Sequence, residues 1–206
     1  MRNRISRDLH DDVGATLSSV KAYAEILKDN PDNPLIPELI GENAAEMIDR
    51  LEVIAWATNP HHDSFESLYN KIHHYAALLC HAKKIAFEFT TDSVGKETVM
   101  PGEIRQNIFL VVKEAVNNSI KYADAKNIII NTNIQSGKFL LHITDDGKGF
   151  DSTQDDEGNG LKNMQSRIKD IGGSVDITSE LNKGTQIMIQ LHYPFKYPKL
   201  HNHHAG

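Results

Sequence analysis

The 206-residue sequence holds a single cysteine, Cys80. An internal disulfide framework is therefore excluded, and the usage fits a reducing compartment. Cys80 lies in the apolar run Tyr75-Ala76-Ala77-Leu78-Leu79-Cys80 and reads as a small buried hydrophobe. No apolar run approaches the roughly 18 residues that a membrane helix requires. The opening Met1-Arg2-Asn3-Arg4 leads straight into an amphipathic stretch and not into a signal peptide. These absences predict a cytoplasmic location, with any membrane-anchoring or sensing region outside this chain. Clustered lysine and arginine are missing too. With a net charge of -6 the chain is a poor partner for nucleic acid, whose phosphates demand concentrated positive charge. What is present, 39% hydrophobic and 24% charged residues, describes a soluble globular chain with room for one large or two small domains.

Hydrophobic periodicity divides the chain into two textures. Residues 3–29 predict one long helix, with Ile5, Leu9, Val13, Leu17, Val20, Ala24 and Leu27 at steps of four and three. Asp29-Asn30-Pro31-Asp32-Asn33-Pro34 stops it, and a second helix follows over about 35–58 with its own stripe of Ile36, Ile40, Met47, Leu51 and Ile54. A two-helix hairpin cannot enclose a core, so the open side of each stripe predicts a homodimer in which two chains form a four-helix bundle. After Pro60-His61-His62-Asp63 the pattern mixes helices and strands. Helices are expected over 64–83 (Ser64 as N-cap, Ser67 as the weaker option), 102–122 and 161–171. Strands are expected over 85–90, 126–134, 138–145, 174–180 and 185–193, with turns at Gln135-Ser136-Gly137 and Asn182-Lys183-Gly184. The fold class is α+β: an N-terminal helical hairpin followed by an α/β sandwich of one sheet and one helical layer. The expected domains are 1–62 and 63–195, with an irregular tail over 196–206.

Three segments of the second half carry chemistry. Asp145-Asp146-Gly147-Lys148-Gly149 ends a strand; its glycines let backbone approach a ligand, and its Asp can accept from an exocyclic amine, although Asp-Gly turns are commonly structural only. Gly158-Asn159-Gly160-Leu161 stands at a helix start, where free N–H groups and the dipole suit phosphate; the plain alternative is a flexible loop. Glu114 and Asn118 are four apart on the 102–122 helix and share a face, where an Asn oxygen can ligate Mg²⁺; the alternative is two solvated polar residues.

Taken in order, these segments resemble the Bergerat-type ATP-binding fold shared by histidine kinases, gyrase B and related ATPases. Glu114-Ala115-Val116-Asn117-Asn118-Ser119-Ile120-Lys121-Tyr122-Ala123 resembles the N box, residues 145–149 and 158–161 the two glycine boxes, and Gly184-Thr185 the final Gly-Thr, so that the likeness covers roughly residues 64–193. The resemblance implies that Asp145 binds the adenine amine, Asn118 holds Mg²⁺, Glu114 orders phosphoryl transfer and Lys121 approaches phosphate oxygens. Gly147, Gly149, Gly158, Gly160, Leu161 and Thr185 complete the ATP site by the same likeness. Tyr122 stands where many relatives carry His, and Met164 packs either near the base or simply in the core. The lid between the boxes, residues 150–157, is acidic at Asp151, Asp155, Asp156 and Glu157 and reads as a solvated loop.

The reaction is read from the first helix. In Arg4-Ile5-Ser6-Arg7-Asp8-Leu9-His10-Asp11-Asp12-Val13-Gly14 the His stands beside the apolar stripe, not in it. Asp11 can orient the ring or take its proton, and Arg7, one turn earlier, can pair with an incoming phosphate. This segment, with Ile54-Ala55-Trp56-Ala57-Thr58-Asn59-Pro60, resembles the phosphoacceptor domain of the histidine kinases that pair with LuxR/NarL-type response regulators. The resemblance implies that His10 is phosphorylated, with Asp11 as general base, and that the phosphoryl group passes to a regulator aspartate. Many relatives carry Gln or His five residues after the phosphoacceptor; here Ala15 stands there, which implies weak or absent phosphatase activity. The start lies so close to His10 that a fragment of a longer protein is expected. His61, His62, His73, His74 and His81 fit no zinc spacing. Two rival readings stand beside this one: a serine-directed kinase or ATPase of the same fold, and a pseudokinase scaffold.

Overall fold

The computed structural model describes residues 14–92, 95, 98–151 and 159–192, and the chain divides into two compact units after Pro60. In the first unit α1 (Gly14–Asp29) and α2 (Leu35–Thr58) pack on each other as a hairpin. Both helices stop where the sequence runs out of helix formers: Asn30 to Pro34 form the connection, in which the Asn33 side chain accepts the Leu35 N–H at 3.0 Å. Residues 3–13 of the predicted first helix, with His10 and Asp11, lie outside the described residues.

Ile36, Val53 and Ala57 are buried within the hairpin, but Leu17, Ile48 and Leu51 are 57%, 59% and 41% exposed. On α2, Ala44, Ile48, Leu51 and Ala55 recur at steps of four, three and four and form a second apolar lane. The sequence pattern merges the two lanes into one stripe; the structure separates them, because one lane is satisfied inside the chain and the other is not.

A 3₁₀ turn, Pro60–His62, leads into the second unit, whose first helix is α3 (Phe65–Lys83). The Ser64 hydroxyl oxygen accepts the Ser67 N–H at 3.2 Å, so Ser64 is the N-cap. There follow β1 (Ala86–Asp92), α4 (Gly102–Lys121), β2 (Asn127–Gln135), β3 (Lys138–Asp145), α5 (Asn159–Asp170), β4 (Gly173–Glu180) and β5 (Gly184–His192). The strands form one sheet in the order β1-β2-β3-β5-β4, parallel between β1 and β2 and antiparallel elsewhere. The parallel pair is joined by α4, as a crossover must be. The β2–β3 hairpin turns on Ser136 and Gly137, both at positive φ (53° and 73°), so two residues suffice.

Strand alternation puts Ile128 and Ile130, Phe139, Leu141 and Ile143, and Ile187, Ile189 and Leu191 on the inner face, each no more than 4% exposed. They meet Phe65, Leu68, Ile72 and Cys80 of α3, Ile108, Val111, Val112 and Val116 of α4, and Met164 and Ile168 of α5 in one helical layer. Each such side chain contributes about 1.5–3 kcal/mol by leaving water. Burial also raises the Cys80 thiol, which leaves it unreactive.

One polar pair lies beneath this layer. Arg105 on α4 is fully buried, and its guanidinium meets the Asp63 carboxylate at 2.6 Å and the Met100 carbonyl at 3.0 Å. Burial pulls the Arg105 guanidinium below its ordinary value, while Asp63 acts to keep it charged. Backbone bonds from Phe65 N–H to Thr98 and from Met100 N–H to Asp63 close the same corner.

Candidate functional site

The inner face of β3 ends on Asp145, an acid placed where the alternation would put an apolar residue; it is 8% exposed. Its carboxylate is satisfied from both sides. Oδ1 accepts the Gly147 N–H at 2.9 Å, and Oδ2 accepts the Ser119 hydroxyl at 2.8 Å. Ser119 Oγ also lies 3.0 Å from the Ala115 carbonyl, and its one proton goes to the charged acceptor. Two fixed donors hold the carboxylate in one orientation and leave lone pairs for a third.

The neighbouring Asp146 turns outward. Its oxygens accept the N–H groups of Lys126 (2.7 Å) and Asn127 (2.8 Å) and the Asn127 side-chain amide (2.6 Å), which folds the 145–149 turn onto the start of β2. These bonds, the Asn127 side chain first, hold the Asp146 carboxyl below its ordinary 3.8. A depressed carboxyl stabilises the fold above its ordinary value and loses that contribution as pH falls through the folded value. The urea midpoint of the second unit is therefore expected to hold from neutral pH to mild acid and to drop below about pH 4. Asp146→Asn should flatten that acid limb; an unchanged limb would contradict the assignment.

The turn is tied on both sides: Lys148 N–H donates to the Ala123 carbonyl at 2.7 Å, and Asn182 N–H donates to the Lys148 carbonyl at 2.6 Å. Just after it, Phe150 N–H donates to Ser179 Oγ at 2.9 Å. Gly149 takes φ +57°, and a Cβ there would overlap the Glu180 carbonyl, so only glycine lets the chain leave this corner. Gly160 has a different reason. In the first turn of α5 a Cβ would overlap the Glu114 carboxylate of α4. The sequence pattern starts this helix at Leu161; the structure starts it at Asn159, so that Gly160 is helical and brings α5 against Glu114.

On α4 the Asn118 amide nitrogen donates to Glu114 Oε1 at 3.3 Å, which leaves the amide oxygen for another partner. Between α4, β3, β5, the 145–151 segment and α5 lies a cavity of about 680 Å³. Ile143, Ile187 and the buried Met164 give it an apolar floor; Asp145, Thr185 and Leu161 lie at its walls. Glu114, Asn118, Lys121, Lys148 and the 65% exposed Tyr122 stand around its mouth. Gly149 and Gly160 line it as well, and Gly147 is buried beneath it with its N–H on Asp145. Gly158 lies outside the described residues, as do His10 and Asp11. Ser119, Asn117, Ala123 and Lys148 stand inside the motif segments, but the motif reading gives them no role in the site. Their signals are faint, a helix-interior Ser beside Asn118 and a Lys between two glycines.

The space suits a nucleotide. A cavity of this size takes a drug-sized ligand, and an apolar slot with one anchored acceptor suits a flat base with an exocyclic amine. Lys121 and Lys148 offer charge to phosphate oxygens. Among the described residues no three metal-ligating groups converge, so a Mg²⁺ held by the Asn118 oxygen would be shared with phosphate and water. Nor is any described helix long and apolar enough to cross a membrane.

Comparison with known proteins agrees. Residues 103–195 match the family model described as histidine kinase-, DNA gyrase B-, and HSP90-like ATPase, and residues 2–55 match a model described as histidine kinase. Ninety-nine residues are 35% identical to the signal transduction histidine-protein kinase/phosphatase DegS of Brevibacillus brevis, covering 48% of this chain and 26% of that protein. The sensor histidine kinase LiaS of Bacillus subtilis is 26% identical over 200 residues, 92% of this chain and 53% of that protein. The chain thus spans only about a quarter and half of these relatives. Among solved structures, the Acinetobacter baumannii histidine kinase AdeS superposes with a TM-score of 0.59 at 15% identity, covering 89% of this chain and 97% of that one. The histidine kinase domain of Erythrobacter litoralis EL346 gives 0.57 at 17%, with coverage of 87% and 94%. These two support the fold alone. With one model on the helical hairpin and the other on the ATPase sandwich, the chain belongs to the histidine kinases.

Proposed function

We propose that this chain is the catalytic core of a two-component sensor histidine kinase, which transfers the γ-phosphoryl group of ATP to its own His10. The observation that supports it best is the convergence of Asp145, Asn118 and Glu114 on one cavity in a chain whose residues 2–55 match a histidine kinase model. In this reading residues 1–62 dimerise and carry the phosphoacceptor, residues 63–195 bind ATP, and 196–206 are a tail. Asp145 accepts from the adenine amine, and Asn118 holds Mg²⁺, which neutralises phosphate charge. Glu114 orients Asn118 through its hydrogen bond, and Lys121, Lys148 and Tyr122 border the phosphates. A His10 ring nitrogen attacks the γ-phosphorus, the bond to the bridging oxygen breaks to release ADP, and Asp11 takes the ring proton. A homodimer through the open apolar lane of Ile48 and Leu51 gives the hairpin its missing half.

The partner in this reading is the receiver domain of a LuxR/NarL-type regulator. After the chain is loaded with ATP and Mg²⁺, adding such a domain should move the phosphoryl group to that domain's aspartate while the kinase loses it in step. ATP hydrolysis with no transfer would contradict the reading. Ala15 leads to a second expectation. Alanine cannot hold a water for attack on a phosphoaspartate, so adding the chain with ADP should leave the regulator's phosphate lifetime unchanged. Ala15→Gln should shorten it several-fold; rapid loss with the wild type would sink the idea.

A further inference from the structure

Asn117 precedes the Mg²⁺-binding candidate Asn118 and belongs to none of the roles above, yet it lines the same cavity. Its amide is oriented from outside. Tyr75 of α3 donates its hydroxyl to Asn117 Oδ1 at 2.9 Å. The Tyr75 ring is itself held edge-on to Phe109 (5.8 Å between centroids) with Lys113 Nζ 5.7 Å from its face. With Oδ1 engaged, the side chain has its Nδ2 donors left, and these have no partner among the described residues.

The place of Asn117 around α4 says what such a donor would meet. Each residue turns the helix by about 100°. On the side of Asp145 stands Ser119, bonded to that carboxylate. Next round come Asn118 and Glu114, bonded to each other, then Lys121, and last Asn117. The order runs from the base anchor, past the cation site, to the far edge of the arc of α4 that lines the cavity. We infer that Asn117, oriented by Tyr75, is a binding residue that donates to the terminal phosphoryl group of ATP. This rests on the reading that Asp145 holds the base. A neutral amide donor suits the position, because it recognises phosphate oxygens through its N–H groups.

The test compares Mg-ATP with Mg-ADP by equilibrium binding to the full chain. Asn117→Ala should weaken ATP about ten-fold and leave ADP within about two-fold, because only ATP carries the group it contacts. Asn117→Asp keeps an acceptor for Tyr75 but removes the donor, and should discriminate against ATP more strongly still. Tyr75→Phe should weaken ATP a few-fold, and that loss should vanish in the Asn117→Ala background, which a purely structural tyrosine would not do. Equal losses for ATP and ADP, or none for either, would overturn the assignment. Asp145→Asn separates the two levels. If it weakens both nucleotides while Asn117→Ala weakens neither, only Asn117 is misassigned. If it weakens neither, the base anchor is wrong and the Asn117 assignment falls with it.

Discussion

Asp145→Asn is expected to weaken ATP binding on the order of a hundred-fold while the fold stays intact. Both carboxylate oxygens already accept a hydrogen bond, from Gly147 and from Ser119, and either can accept one more from an adenine amine. Asparagine keeps one acceptor oxygen and replaces the other with an NH₂ donor. Ser119 can adapt, since the Ala115 carbonyl lies 3.0 Å away and can take its proton, so the protein tolerates the change. The base cannot adapt: its amine meets a donor, or shares with Gly147 the one remaining oxygen, which no longer carries charge. A lost charge-assisted bond together with a desolvated, unpaired amine is worth about 3 kcal/mol, which is the hundred-fold. Titration with ATP, beside a thermal melt to confirm folding, checks it. An affinity within a few-fold of wild type would remove Asp145 from the site.

The largest stability effect is expected from Asp63→Ala. Arg105 is fully buried, and the Asp63 carboxylate, whose side chain is 41% exposed, is its charge partner. Removing Asp63 takes a charge partner from a buried cation, at a cost of about 3 kcal/mol. Adding Arg105→Met to that variant fills the space without the charge and should restore most of the loss, so the double variant should be more stable than the single one. Urea midpoints of the second unit measure both. The pair lies where the chain leaves the 3₁₀ turn Pro60–His62 and enters α3, so its loss should also free the Ser64–Val99 bridge. A double variant no better than Asp63→Ala would show that the ion pair is not what holds this corner.

What was legible in the sequence divides along physical lines. Local chemistry reads well. Ser64 caps α3 because a hydroxyl before an apolar-periodic run has an unpaired N–H to accept from. Ser136-Gly137 turns a hairpin because both positions take positive φ. The segments around Glu114, Asp145, Gly160 and Thr185 come together on one cavity because each sits at the end or on the face of a regular element whose period is visible. Contacts between distant elements do not read. Nothing near Ser119 in sequence announces Asp145, 26 residues on. Arg105 looks like an ordinary surface charge on a helix, and Asp63, 42 positions away, like a linker acid. Tyr75 and Asn117 are separated by the same 42 positions and a strand. The sequence pattern sets the start of α5 two residues late, because glycine in a first helical turn carries no propensity signal and its reason is the approach to Glu114. Periodicity puts the exposed Leu51 in one stripe with the buried Ile36, since it reports that a face is apolar and not which partner covers it.

The central claim is that ATP bound against Asp145 phosphorylates His10. The most direct measurement is incubation with γ-labelled ATP and Mg²⁺, with wild type and His10→Gln compared at matched ATP occupancy. The account predicts an acid-labile, alkali-stable label on the wild type, and none on His10→Gln although that variant binds ATP as tightly. Label retained by His10→Gln, or a wild type that binds ATP and is never labelled, would contradict it.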